Sequence, residues 1–204
     1  MITAIVPAAG RSRRMGAPKL LLPLAGTTVI RCAVDAILEA SIDDVLVVIR
    51  PGDAPLRAAL AERSVRIVAN PDPDGDMLSS VRCGLLALPA DTDTVLLVPG
   101  DQARLGSALV RESIAAYRAS ERSIAVPIHA GRRGHPLLFS SGYRDEILSR
   151  FDGIGLRGLL LAHPDEILQW PTQDAAVIED LDSPDDYRQV LQGAAGNGWD
   201  EGER

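Results

Sequence analysis

The sequence predicts an α/β fold: a three-layer sandwich whose mostly parallel, Rossmann-like sheet is covered by helices on both faces. Short apolar runs bounded by turn residues alternate with helical patterns along most of the 204 residues. Several runs, such as Val45-Leu-Val-Val-Ile49 and Val95-Leu-Leu-Val98, are continuous rather than alternating, the pattern of strands buried on both faces. Hydrophobic residues make up 46% of the chain and aromatics only 3%, a palette suited to aliphatic packing of helices on a sheet.

Taken in order, strands are expected at residues 3–6, 45–49, 66–69, 94–98, 124–127, 167–170 and 176–178. Helices are expected at 29–40, 54–63, 78–87, 107–119, 143–149, 155–162 and 184–191. In the first helix Ile30, Ala33, Val34, Ile37 and Leu38 recur on one face. The last opens on Ser183-Pro184-Asp185-Asp186: a cap, a proline at the first helical position, then acids in the first turn. No repeat or linker divides the chain, so residues 1–192 read as a single domain. Residues 193–204, rich in Gly and charge with a lone Trp199, read as a flexible tail. Ligands of open α/β sheets sit beyond the carboxyl ends of the strands. That singles out the loops at 7–19, 70–78, 99–106, 129–136 and 179–183.

The formal net charge of −7 and the few aromatics argue against a nucleic-acid partner, which needs a basic face and stacking platforms. No apolar run reaches transmembrane length and the chain opens on a strand rather than a signal peptide, so a cytoplasmic protein with no membrane contact is expected. Cys32 and Cys83 lack metal or redox spacing and read as small buried hydrophobes.

The first loop runs against this acidic background. Ala8-Ala-Gly-Arg-Ser-Arg-Arg-Met-Gly-Ala-Pro-Lys19 follows the first strand and brings two glycines, three arginines and a lysine together. Gly10 and Gly16 let backbone N–H groups approach phosphate oxygens. Arg11, Arg13, Arg14 and Lys19 supply neutralising charge. The loop lacks the Gly-Lys-Ser/Thr ending of a P-loop, and its glycines do not follow the dinucleotide fingerprint. A solvated basic loop is the other reading.

Two acidic corners follow. Val95-Leu-Leu-Val-Pro-Gly-Asp-Gln102 ends a strand on Asp101, which reads as a turn former, a helix cap or a metal ligand. In Glu179-Asp-Leu-Asp-Ser-Pro-Asp-Asp-Tyr187, Asp180 and Asp182 alternate as on a strand, and Asp182 or Ser183 also suits a helix cap. Near a polyphosphate, two such carboxylates meet the needs of Mg²⁺, which takes one or two carboxylates plus phosphate oxygens and water. Ser79 and Ser80 in Gly75-Asp-Met-Leu-Ser-Ser-Val-Arg82 open a helix, and either reads as its cap. Gly131-Arg-Arg-Gly-His-Pro136 carries a lone histidine beside proline that reads as a surface or turn residue or as a catalyst.

These motifs resemble those of the nucleotide-diphospho-sugar transferase-like superfamily. More narrowly, Val6-Pro-Ala-Ala-Gly-Arg-Ser-Arg-Arg-Met-Gly-Ala-Pro-Lys19, Gly100-Asp-Gln102, Asp180-Leu-Asp-Ser-Pro-Asp-Asp186 and Gly134-His-Pro136 are similar to the motifs of the MobA-like molybdenum cofactor cytidylyltransferases. The resemblance runs from the first strand to about Tyr187. It implies transfer of CMP from CTP to the phosphate of molybdopterin, molybdenum-bearing, with release of pyrophosphate. A recipient molybdoenzyme would be a further partner.

Carried over residue by residue, Arg14, Lys19 and Asp101 would be catalytic. Ala8, Ala9, Gly10, Arg11, Ser12, Gly75 and Ser80 would bind the nucleotide together with those three. Asp101 and Asp182 would hold Mg²⁺, with Mn²⁺ as a substitute, and Asp180 is the weaker candidate. Gln102, Arg132, His135 and Arg157 would face the acceptor. Ala9 goes with cytidine, since the related guanylyltransferases carry glycine there. The sequence departs from the family at Ala103, where proline is usual. It departs again after Gly153, where the family has an aspartate and this chain has Ile154. Methylerythritol phosphate cytidylyltransferase, molybdopterin guanylyltransferase and a non-catalytic cofactor chaperone are the alternatives.

Overall fold

The computed structural model describes residues 1–12, 15–72 and 74–196, the last four by backbone alone. The chain begins with β1 (Ile2–Pro7), a 3₁₀ turn (Lys19–Leu21) and the short ribbon of β2 (Pro23–Leu24) and β3 (Thr27–Thr28). Then come α1 (Val29–Glu39), β4 (Asp44–Ile49), α2 (Ala54–Ala59), β5 (Arg66–Ala69), α3 (Met77–Leu86), β6 (Thr94–Leu97) and α4 (Ser107–Arg118). β7 (Ile124–His129), β8 (Arg132–Arg133), β9 (Leu137–Ser140), α5 (Arg144–Ser149), α6 (Arg157–Ala162), β10 (Ile167–Pro171) and α7 (Pro184–Gly196) complete it.

Eight strands form one sheet in the order β10-β7-β9-β6-β1-β4-β5, with β8 paired to β7. β1 lies parallel between β4 and β6, so that Ile5 sits beside Leu46 on one side and Leu97 on the other. β4–β5 and β7–β10 are also parallel. β9 alone runs against both its neighbours, β6 and β7.

Burial explains why the central strands read as unbroken apolar runs. Ala4, Val6, Val45, Val47 and Ile49 point into one core under α1 and α4, with Ile30, Val34, Ile37 and Val110. Ile5, Leu46, Val48, Val95 and Leu97 point into the other, against Leu78, Val81 and Leu85 of α3, Ile147 of α5 and Leu159 of α6. The residues of these central strands therefore pack against apolar side chains on one face or the other. Among the described residues no helix is long and apolar enough to cross a membrane.

Four expectations are corrected. Residues 176–178 are not a strand: Ala175–Ile178 is a 3₁₀ turn, initiated by Asp174, whose side chain accepts from Ala176 N at 2.9 Å. Ala176 and Val177 are buried, and so short an apolar run looks alike in a strand or a turn. α2 stops at Ala59 rather than 63, and α7 continues to Gly196, past both the expected helix end at 191 and the start of the expected tail. β9, the apolar strand after Gly134-His-Pro136, adds an antiparallel member beyond the seven runs counted.

The direction of the strands gathers the loops. β1, β4, β5, β6, β7 and β10 all point the same way, and β9 begins at the edge where they end. The segments at 8–18, 70–76, 98–106, 130–136 and 172–183 therefore emerge at one edge of the sheet.

Candidate active site

A cleft of about 360 Å³ opens at that edge. Its walls come from all five loops singled out in the sequence together with the 3₁₀ turn and α3: Ala8, Ala9, Gly10 and Lys19; Gly75, Met77 and Ser80; Asp101; His135; Asp180 and Asp182, among others.

At its centre one ammonium meets two carboxylates. Lys19 Nζ donates to Asp101 Oδ2 at 2.5 Å and to Asp182 Oδ1 at 3.1 Å. Lys19 and Asp101 are mostly buried, with 15% and 16% of their side chains exposed. Burial acts to lower the Lys19 pKa, but the Asp101 and Asp182 carboxylates outweigh it and hold the ammonium above its ordinary value.

Local structure delivers each group. The first loop is a series of turns: Ser12 sits at φ 49°, Gly16 at φ 65°, and Met15 N donates to Ser12 O at 3.0 Å. Ser12 Oγ accepts from Lys19 N at 3.2 Å, closing the loop, and Pro18 starts the 3₁₀ turn that carries the lysine. Asp101 is not a helix cap, because α4 starts six residues later behind Gly106; it lies in the turn that Gln102 N closes on Pro99 O at 3.1 Å, with its carboxylate on Lys19. Gly100 N donates to Pro7 O at 3.0 Å and ties this corner to the end of β1. At the second corner Ser183 caps α7: its Oγ accepts from Asp186 N at 3.2 Å, and Asp186 Oδ2 accepts from Ser183 N at 2.7 Å. With Ser183 capping the helix, Asp182 turns its side chain towards Lys19.

The α3 wall is organised by Asn70, a residue the sequence reading passed over. Asn70 is buried; its Nδ2 donates to Ser79 Oγ at 2.8 Å and Ser80 Oγ at 3.1 Å, and its Oδ1 accepts from Asp72 N at 3.1 Å. Asp76 is the helix cap, accepting from Ser79 N at 2.9 Å, so neither serine has that role. Ser80 lines the cleft, but its hydroxyl is already engaged by Asn70. A Cβ on Gly75 would lie 2.2 Å from Ser79 Oγ, so a larger residue here would push that hydroxyl off its bond with Asn70. The signal for Asn70 was a polar residue at the end of a strand, opening the run Asn-Pro-Asp-Pro-Asp-Gly75.

On the far wall His135 is stitched to the 3₁₀ turn by its backbone N–H, which donates to Val177 O at 2.7 Å. Gly134 is obligatory here, since a Cβ would fall 2.1 Å from that same carbonyl oxygen. Burial lowers the His135 pKa below its ordinary value, partly opposed by Asp180 and Asp101, and its Nδ1 is buried without a partner among the described residues. Burial, reinforced by Asp101, raises the Asp180 carboxyl pKa against the opposing effects of His135 and Gln102.

Several candidates lie elsewhere. Gln102 is fully buried and donates its amide to Asp180, so it faces the protein rather than the cleft. Arg11 and Ser12 line a separate cavity of about 430 Å³ on the other side of the first loop, with Arg50 and Asp53. Arg11 also pairs with Asp74 at 3.5 Å, linking the loops at 8–18 and 70–76. Arg132 is exposed on β8 and Arg157 is exposed at the start of α6; neither lines the cleft. Arg14 lies outside the described residues. The cysteines are half-buried and unpaired, and burial, with Asp35 nearby, pushes the Cys32 thiol up to about 11.

The described residues lining the cleft include one lysine against Asp76, Asp101, Asp180 and Asp182. Among the described residues no three His, Cys, Asp or Glu side chains gather as a complete metal cage. Two carboxylates already gripping a cation suit a hard divalent ion that takes its remaining oxygens from phosphate and water.

Residues 4–167 match the model of the MobA-like NTP transferase domain. The chain belongs to that family. Its sheet and flanking helices are those of the nucleotide-diphospho-sugar transferase fold. It is 27% identical over 186 residues to the molybdenum cofactor cytidylyltransferase of Escherichia coli, covering 91% of this chain and 93% of that one. It is also 29% identical to nicotine blue oxidoreductase of Paenarthrobacter nicotinovorans, over 93% of this chain and 96% of that one. Among solved structures, Rv0371c of Mycobacterium tuberculosis in complex with manganese shares 28% identity. That match has a TM-score of 0.76 and covers 94% of this chain and 98% of that one.

Proposed function

We propose that this protein transfers CMP from CTP to the terminal phosphate of molybdopterin, molybdenum-bearing, and releases pyrophosphate. The observation that carries this reading is the convergence of Lys19, Asp101 and Asp182 in a cleft walled by the first loop and the start of α3. The relative from Escherichia coli, similar over nearly the whole chain, supports the choice of substrate class.

In this reading the triphosphate lies along the backbone of residues 8–10 with Lys19, and Arg14 contributes charge from the same loop. The cytosine sits by Ala8, Ala9, Gly75 and Ser80, where Asn70 holds the serines in place. Asp101 and Asp182 would hold Mg²⁺, or Mn²⁺ in its place, and the ion would supply neutralising charge for phosphate oxygens. A phosphate monoester is already nucleophilic at pH 7, so no side chain has to remove a proton. The protein contributes orientation and charge. His135 faces the acceptor as a half-buried ring, Gln102 acts through Asp180, and Arg132 and Arg157 meet the acceptor from outside the cleft.

Pyrophosphate release measured from each of the four NTPs, with and without molybdopterin, tests this. CTP with molybdopterin is expected to give the only substantial turnover. Turnover with methylerythritol phosphate instead, or with GTP, moves the chain to the corresponding alternative; no release with any pair removes the transferase reading.

A further inference from the structure

We infer that in the ligand-free protein Lys19 occupies the place of the divalent cation, so that the cation enters only with a nucleotide that draws the ammonium away. The inference rests on the reading above, in which Asp101 and Asp182 are the metal ligands.

The geometry points to it directly. A single Nζ lies 2.5 Å from Asp101 Oδ2 and 3.1 Å from Asp182 Oδ1, at the focus of the two carboxylates. A metal ion on those two oxygens and an ammonium at this position would be like charges in contact with the same atoms, and they exclude each other. Screening is limited, because Lys19 and Asp101 are mostly buried.

The lysine can leave without unfolding anything. Its backbone is fixed by the bond from its N–H to Ser12 Oγ and by buried Leu20 beside it, but its four-carbon stem can rotate. Phosphate oxygens in the cleft offer the ammonium an anionic partner of equal quality. Once Lys19 turns to them, both carboxylates are released for the cation. Nucleotide and metal therefore bind with positive coupling, each raising the affinity for the other by the same factor. The arrangement also keeps adventitious transition metals off a pair of carboxylates that would otherwise take them.

The test titrates the full chain with Mn²⁺ alone, reading free Mn²⁺ by electron paramagnetic resonance. Wild type is expected to bind weakly, and Lys19→Met or Lys19→Gln at least about tenfold more tightly. Adding Asp182→Asn to either variant should erase the gain, which localises it to this pair. A variant that folds, by circular dichroism, yet binds no better than wild type overturns the inference. A second arm adds a nucleotide to the wild type. CTP is expected to raise protein-bound Mn²⁺, followed by water proton relaxation, with an affinity gain of about tenfold or more. If another NTP does so and CTP does not, the place-holding stands and the cytidine reading falls. If none does, the coupling is refuted. Should neither lysine variant fold, this second arm decides alone.

Discussion

Replacing Asp101 by asparagine isolates the electrostatic contribution of the first acidic corner. The side chains are nearly isosteric and the turn is held by backbone bonds, including Gly100 N to Pro7 O, so its shape should survive. Two quantities then change. The contact with Lys19 at 2.5 Å, between side chains that are 15% and 16% exposed, is reduced from an ion pair to a neutral hydrogen bond. Lys19 keeps Asp182 as a partner at 3.1 Å. The loss falls between that of an exposed pair and a fully buried one, about 1–2 kcal/mol. For a chain of this size that is a fall in Tm of about 2–8 °C. The effect on turnover is larger, because the lost charge is one of two that hold the cation against the reacting phosphates. Removing one preorganised electrostatic group of this kind costs about 10²–10³ in kcat. Pyrophosphate release from CTP in the presence of molybdopterin measures the second effect and a circular-dichroism melt the first. Turnover within about threefold of wild type would show that Asp101 does not act on the phosphates, whatever the melt shows.

Asn70→Ala removes three hydrogen bonds at a buried position and should cost about 2–3 kcal/mol in a thermal or urea melt, with KM for the nucleotide rising more than kcat falls. An unchanged KM would separate the α3 wall from nucleotide binding. Gly134→Ala drives a methyl group against a backbone carbonyl that has little room to move, so a loss of more than about 2 kcal/mol is expected. Acceptor-dependent turnover should fall while nucleotide affinity holds; loss of both together would place the 130–136 loop outside the acceptor site. Cys32, with its pKa held at about 11, is only about one part in a thousand thiolate at pH 8, so the folded protein should resist iodoacetamide there. Rapid alkylation of Cys32 in the native state, followed by mass spectrometry, would contradict that environment.

The parts of the fold legible in the sequence are those where one local pattern has one burial solution. Val45-Leu-Val-Val-Ile49 is apolar at every position because odd and even residues enter different cores, and no exposed strand needs that. Ser183 and Asp186 announced the start of α7 because a capping box is local chemistry. Residues 175–178 failed that test: a four-residue apolar run is buried equally well in a turn, and Asp174 tipped it to a turn. Gln102 is a further case. Beside Asp101 in sequence it resembled a ligand-facing residue, but consecutive side chains diverge, and its amide went inward to Asp180.

Sequence alone determined the strand–helix alternation, the doubly covered sheet and the set of chemical groups at its carboxyl edge, because periodicity and residue type are local properties. Only the tertiary structure decided which of those groups meet. Lys19 bonds to Asp101 and Asp182 across 82 and 163 residues of chain, whereas Arg157 is left outside the cleft. That selection follows from strand order and direction, which bring distant loops to one edge and which no local pattern encodes.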